Sequence, residues 1–195
     1  FSYGRTTVRP SFKELSYSEI LDPITGRTFI GGLFRDANDV VGVEYWDGNL
    51  VSTIIHNFDI RWELFHGREQ MVSVSGFYKM FNNPIEVVQF ASQSGAFQPR
   101  NVGKGTLLGI EFEARQSLEF ISKGWDRFGI ALNVTLTQSQ IELSNTEFES
   151  RVVNARTGQE IDKYRDMAGQ SPWIINGGIE YTGENGFWKN LNIGV

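Results

Sequence analysis

The sequence predicts an all-β fold: an antiparallel meander of about seven strands forming a segment of a large transmembrane β-barrel. Three observations carry that expectation. Apolar and polar residues alternate over long stretches, short connections alternate with long ones, and one face of the alternating stretches is charged. Phe58, Ile60, Trp62 and Leu64 interleave with Asn57, Asp59, Arg61 and Glu63. Leu108, Ile110, Phe112 and Ala114 interleave with Gly109, Glu111, Glu113 and Arg115. Phe128, Ile130, Leu132, Val134 and Leu136 do so with Gly129, Ala131, Asn133, Thr135 and Thr137. Successive strand side chains point to opposite faces, so each stretch has one apolar and one polar side. Lipid on one side and water on the other is the barrel arrangement.

The strands are expected at 1–9, 54–65, 70–81, 104–119, 127–141, 173–182 and 188–195. Residues 10–53, 82–103 and 142–172 are long connections, while those around Gly67, Gly124 and Asn185-Gly186 are short. Long outer loops and short periplasmic turns give that asymmetry, whereas a soluble sandwich has no reason to keep it. Glycine at the short turns permits positive φ in tight hairpins. Pro10, Pro23, Pro84, Pro99 and Pro172 are expected outside strand centres, where proline would remove a ladder donor. Trp62, Phe65, Phe120, Trp125, Phe128, Tyr181, Phe187 and Trp188 cluster near the short turns, and Tyr78, Phe81 and Trp173 near the long loops. Two aromatic girdles at headgroup level would have this spacing. No helix signal is strong.

Composition sets further bounds. The 195 residues carry a formal charge of -5, with no basic surplus to suggest nucleic acid. Mean hydropathy is -0.27, which a barrel strand tolerates because half its residues are polar. No apolar run is long enough for a spanning helix. Cysteine is absent, which removes disulfides, thiolate metal sites and a thiol nucleophile. The chain opens on Phe1 and closes in an alternating stretch, so we read it as a barrel fragment, with plug and signal sequence lying elsewhere.

Six strings, in order, resemble the C-terminal barrel of TonB-dependent outer-membrane receptors of the Bacteroidota type. They are Arg5-Thr6-Thr7-Val8-Arg9-Pro10 running into Ser11-Phe12-Lys13-Glu14-Leu15; Gly26-Arg27-Thr28-Phe29-Ile30-Gly31; and Asn57-Phe58-Asp59-Ile60-Arg61-Trp62-Glu63. The others are Ser75-Gly76-Phe77-Tyr78-Lys79 with Asn83-Pro84-Ile85-Glu86; Gly109-Ile110-Glu111-Phe112-Glu113; and Gly169-Gln170-Ser171-Pro172-Trp173 with Asn176-Gly177-Gly178. Residues 32–50 depart from the pattern as an insertion, with Asp47-Gly48-Asn49-Leu50 as a remnant of a shorter link. The resemblance implies a barrel of the cell outer membrane enclosing an N-terminal plug, and TonB-energised uptake of a scarce or bulky nutrient such as a metal chelate, cofactor or glycan. It implies as partners the TonB complex acting through the plug, outer-membrane lipid, the extracellular nutrient and, in one branch, a surface lipoprotein. Nucleic acid and resident cofactors are not expected. The alternatives are a passive channel without a plug, a barrel hydrolase and a soluble β-sheet domain.

The expected sites follow from the two faces. Asp59, Arg61, Glu63, Lys79, Glu111, Glu113, Arg115 and Glu180 form a charged ladder facing the lumen and plug. Tyr17, Tyr45, Trp46, Phe90 and Phe97 in the long loops are ligand candidates, because aromatic platforms suit sugars and flat chelates. No catalytic residue is expected. Glu111 and Glu113 lie two apart like a carboxylate pair, yet Arg115 and the other charges offer simple partners. No Ser-His-Asp set is legible and Gly-x-Ser-x-Gly is absent. His56 and His66 stand at opposite ends of one strand, about 33 Å apart if extended, so they share no metal. Asp36, Asp39, Asp47 and Asn49 have calcium-type oxygens without EF-hand spacing, and no metal site is expected.

Overall fold

The structure is a computed structural model and describes residues 1–35, 45–67, 70–89, 96–182 and 192–194. Its main sheet follows the seven expected strands in order. These are β1 (Ser2–Val8), β4 (Thr53–Gly67), β5 (Gln70–Asn82), β8 (Lys104–Ser117), β9 (Phe128–Glu142), β11 (Trp173–Thr182) and β12 (Asn192–Gly194). All pairings along this path are antiparallel. Among the described residues the sheet does not close on itself. The expected final turn, with Phe187 and Trp188, lies outside the described residues.

The register turns alternation along strands into rows across the sheet. One apolar row is Ile60–Gly76–Ile110–Leu136–Trp173; the next is Trp62–Val74–Phe112–Val134–Ile175. The face so formed is open: Ile60, Trp62, Ile110, Leu136, Trp173, Ile175 and Ile179 are all exposed. A water-soluble sheet of this size would cover such a face. Among the described residues the buried apolar side chains are Ala96, Val102, Ile141 and Leu143, all near the long-loop end. On β4 the apolar stretch is bracketed by His56, whose Nδ1 meets the Tyr3 hydroxyl at 2.9 Å, and His66, whose Nε2 meets Gln116 Oε1 at 2.7 Å. Ten residues span about 33 Å along a strand; at the usual barrel tilt of about 40° this gives about 25 Å, the height of a barrel's lipid-facing band.

The long connections have structure that periodicity did not predict. The first holds β2 (Glu19–Asp22) and β3 (Arg27–Ile30), and the second β6 (Ile85–Gln89) and β7 (Ala96–Asn101). They join in a second sheet of order β2-β3-β7-β6, with β3 and β7 parallel. The third holds α1 (Asn145–Val153) and the two-residue β10 (Tyr164–Arg165), which pairs with β9. These elements lie in segments where only long connections were expected. Ser144 caps the helix: its Oγ accepts from the Glu147 amide at 3.2 Å. Pro99 lies inside β7 rather than outside a strand. It is tolerated because β3 pairs only with Ala96 and Phe97, so no β3 carbonyl awaits the missing donor. The fourth strand of the main sheet, β8, ends two residues before its expected limit, where Leu118–Phe120 forms a 3-10 turn.

The insertion leaves and returns at one place. Trp46 Nε1 donates to the Gly32 carbonyl at 2.8 Å, and the Asn101 side chain meets both Val51 backbone groups, at 2.8 and 2.9 Å. Gly48 adopts φ +81°, and a Cβ there would sit 2.5 Å from the Leu33 carbonyl oxygen. The middle of the insertion, with Asp36 and Asp39, lies outside the described residues.

Candidate functional site: the charged face and the loop platform

The pairing places all eight ladder residues on one side of the sheet. Asp59, Arg61 and Glu63 come from β4, Lys79 from β5, Glu111, Glu113 and Arg115 from β8, and Glu180 from β11. Arg61 is the hub. Its Nε pairs with Glu63, Nη1 donates to Ser75 Oγ at 3.2 Å, and Nη2 reaches Glu113 Oε2 at 3.0 Å. Glu113 lies two strands away, about 10 Å at normal strand spacing. The reach is open because β5 presents Ser75 and Ser73 between them, both short. Ser73, 1% exposed, lies beneath this bridge in the row Glu63–Ser73–Glu113.

The remaining members divide. Arg115 Nη2 pairs with Glu113 Oε1 at 3.4 Å, and Asn133 Nδ2 donates to Glu111 Oε1 at 2.6 Å. Asp59 accepts from Ser2 Oγ at 3.3 Å. Lys79 Nζ lies 5.8 Å from the centre of the Phe77 ring, and among the described residues it joins no carboxylate. Glu180 is exposed, opposite Gly129. The two-apart carboxylates are thus held by an arginine pair and an amide, in contacts of the kind that stabilise sheets.

This face is less uniformly polar than alternation implied. Phe77 belongs to it and its ring reaches over Gly109, where a Cβ would stand 2.2 Å from the ring's tip. Phe65 and Phe81 also share its parity, so the register removes both from the expected aromatic girdles. Ile55, Phe81 and Ile141 continue it at the long-loop end. There the third connection folds back across the sheet: the Met167 amide donates to Ser139 Oγ at 3.0 Å.

The loop aromatics have two fates. Phe97 stacks on Phe29 at 5.8 Å with the Arg27 guanidinium 5.3 Å from its ring centre, and Arg100 lies 5.5 Å from the Trp46 ring. Both rings therefore tie loop elements together. Tyr17 and Tyr45 are exposed, Tyr17 meeting Phe34 edge-on at 5.6 Å. Phe90 lies outside the described residues. Asp47 Oδ1 accepts from the Asn49 amide at 2.8 Å, a local turn contact.

Sequence reading missed the residues that join the loops. Gln98, fully buried, donates from Nε2 to the carbonyls of Gly31 (2.9 Å) and Phe34 (2.7 Å) and accepts from Arg100 Nε at 2.7 Å. Arg165 bridges Glu86 of β6 at 2.5 Å and Glu147 of α1 at 3.2 Å. Neither had a local sequence signal, since each partner is distant along the chain.

No curated protein matches the chain. The family model described as TonB dependent receptor-like, beta-barrel matches residues 1–195, the entire sequence. An open antiparallel sheet with an exposed apolar face, a charged opposite face and structured loops at one end agrees with that match. The chain belongs to the TonB-dependent receptor β-barrel family, a family of outer-membrane transporters rather than enzymes.

Proposed function

We propose that this chain forms part of the barrel wall of a receptor that takes up a scarce or bulky nutrient by TonB-energised displacement of a plug. The single observation that carries the reading is the pairing of an uncovered apolar face with a hydrogen-bonded charged face on one sheet. Lipid covers the first face; the second lines a wet lumen and meets the plug through Asp59, Arg61, Glu63, Lys79, Glu111, Glu113, Arg115 and Glu180. The long-loop end with Tyr17 and Tyr45 faces outside and meets the nutrient, while the short turns face the periplasm. A passive channel is the competing reading. Uptake of the nutrient into cells with and without TonB separates the two. We expect uptake to stop without TonB while surface binding persists; uptake that continues unchanged would identify a passive channel.

A further inference from the structure

The second sheet follows the order of the barrel strands beneath it. Its path β2-β3-β7-β6 takes two strands from the connection after β1 and two from the connection after β5. The parallel pairing of β3 with β7 joins these connections side by side. At the far edge, β6 meets the next connection in the series, the one after β9. Glu86 pairs with Arg165 at 2.5 Å, and residues 167–170 line one cavity with Ile85. Along this part of the rim, each connection is therefore flanked by its neighbour.

The opposite edge of this sheet, β2, has no such cover. By the same order it is the edge on the β1 side, and among the described residues no strand pairs with its outer side. Successive strand residues point to opposite faces, yet Ile20 and Leu21 are both exposed, so both faces of β2 are open as well. The turn that follows exposes Ile24. Charges can blunt a free edge, but the acids of β2 stand only at its ends. Asp22 is already engaged, accepting from the Ile24 amide and the Thr25 hydroxyl. The middle of the strand is left as an apolar edge with unpaired backbone groups.

We propose that the outer edge of β2 is completed by strand addition, and that its occupant is the outer connection rising from the barrel strand that neighbours β1 in the closed receptor. A sheet in hydrocarbon leaves no open edge, so β1 has such a neighbour once the barrel closes. The connection above that neighbour then stands beside β2 as the connection after β9 stands beside β6. An extended segment there pairs its backbone with β2 and covers Ile20 or Leu21 with its own apolar side chains. Completion turns the second sheet into a band shared by successive connections at the mouth. The proposal rests on the barrel-wall reading and not on TonB-dependent transport.

The test uses the intact receptor, purified in detergent, and two readouts. The first is residue-level amide exchange of the unmodified protein. Alternate amides of an antiparallel strand point away from the paired side, and on a free edge those exchange quickly. We expect every amide of residues 19–22 to be protected, the outward ones exchanging about tenfold or more slowly than unpaired amides of the same sequence. The second readout places the photo-crosslinker p-benzoylphenylalanine at position 20 or 21, one for each face of β2. We expect a crosslink to a peptide of the same polypeptide, from the connection beside β1. Fast outward amides, no crosslink at either position, or a crosslink to residues 36–44, to a second copy or to a separate protein each overturn the proposal. The amides of β1 tell the two failures apart. If they are slow on both sides while β2 is fast, the barrel reading stands and the rim pairing falls; if β1 is also fast, the barrel is not closed and both fall.

Discussion

The Phe77–Gly109 contact is the sharpest single-residue constraint on the charged face. The ring occupies the space where any larger residue at 109 would put its Cβ, at 2.2 Å. Gly109→Val should therefore lower stability by about 1–3 kcal/mol, the usual cost of overpacking. Phe77→Ala in the same chain should recover part of it. Thermal unfolding of the four members of that double-mutant cycle in detergent checks this, and additive effects would disprove the contact's role. Period-two alternation was enough to assign the parity of Arg61, Glu113 and the other charges, because parity is a property of one strand. The pairing of Phe77 with Gly109 was not legible, because it depends on the register between β5 and β8. The hub role of Arg61 was hidden for the same reason: the serines that open its path lie on another strand.

At the scale of elements, the second sheet owes its form to ties between connections. Gln98 supplies two of them, so Gln98→Leu leaves the Gly31 and Phe34 carbonyls without that donor. A lost buried partner costs about 1–3 kcal/mol, and we expect faster amide exchange in β3 with the exchange of β8 and β9 unchanged. The β2–β3 turn carries its own pH dependence. The Thr25 hydroxyl, and next the Ile24 amide, hold the Asp22 carboxyl below its ordinary value of 3.8. The native turn is thus favoured fully above that value and loses this support as pH falls through the lowered pKa. Amide exchange of residues 23–26 measured down the acid range should rise there, and Asp22→Asn should remove the dependence. Long strands were legible because their period repeats many times. The four- to six-residue strands of the loops offer two or three repeats, and the parallel β3–β7 pairing joins segments far apart in sequence. The helix was not legible, since Phe148, Val152 and Val153 are its sole large apolar residues and its surroundings supply Arg165 for Glu147.

For the whole molecule, the distribution of burial is the reverse of a soluble domain's. Apolar residues in the middle of the long strands are exposed, and the few buried ones sit under the loops. If the apolar face meets hydrocarbon, its tolerance to charge must depend on side as well as depth. Ile110 and Glu111 are neighbours on β8 yet point to opposite faces. Ile110, 58% exposed, lies in the row Ile60–Gly76–Ile110–Leu136 near the middle of the band. Ile110→Arg should cost about 2–4 kcal/mol, the depth-dependent cost of a mid-bilayer cation on a barrel's lipid face, and reduce the assembled receptor in outer-membrane fractions. Thr135→Arg puts the same charge at nearly the same height beside Glu111 on the other face, and should assemble normally. A soluble or inverted sheet predicts a different pattern. In water Ile110→Arg would be mild or helpful to solubility, and in an inverted barrel Thr135→Arg would be the damaging change. The pair of variants therefore reads which face meets lipid, independently of any ligand, plug or energy source.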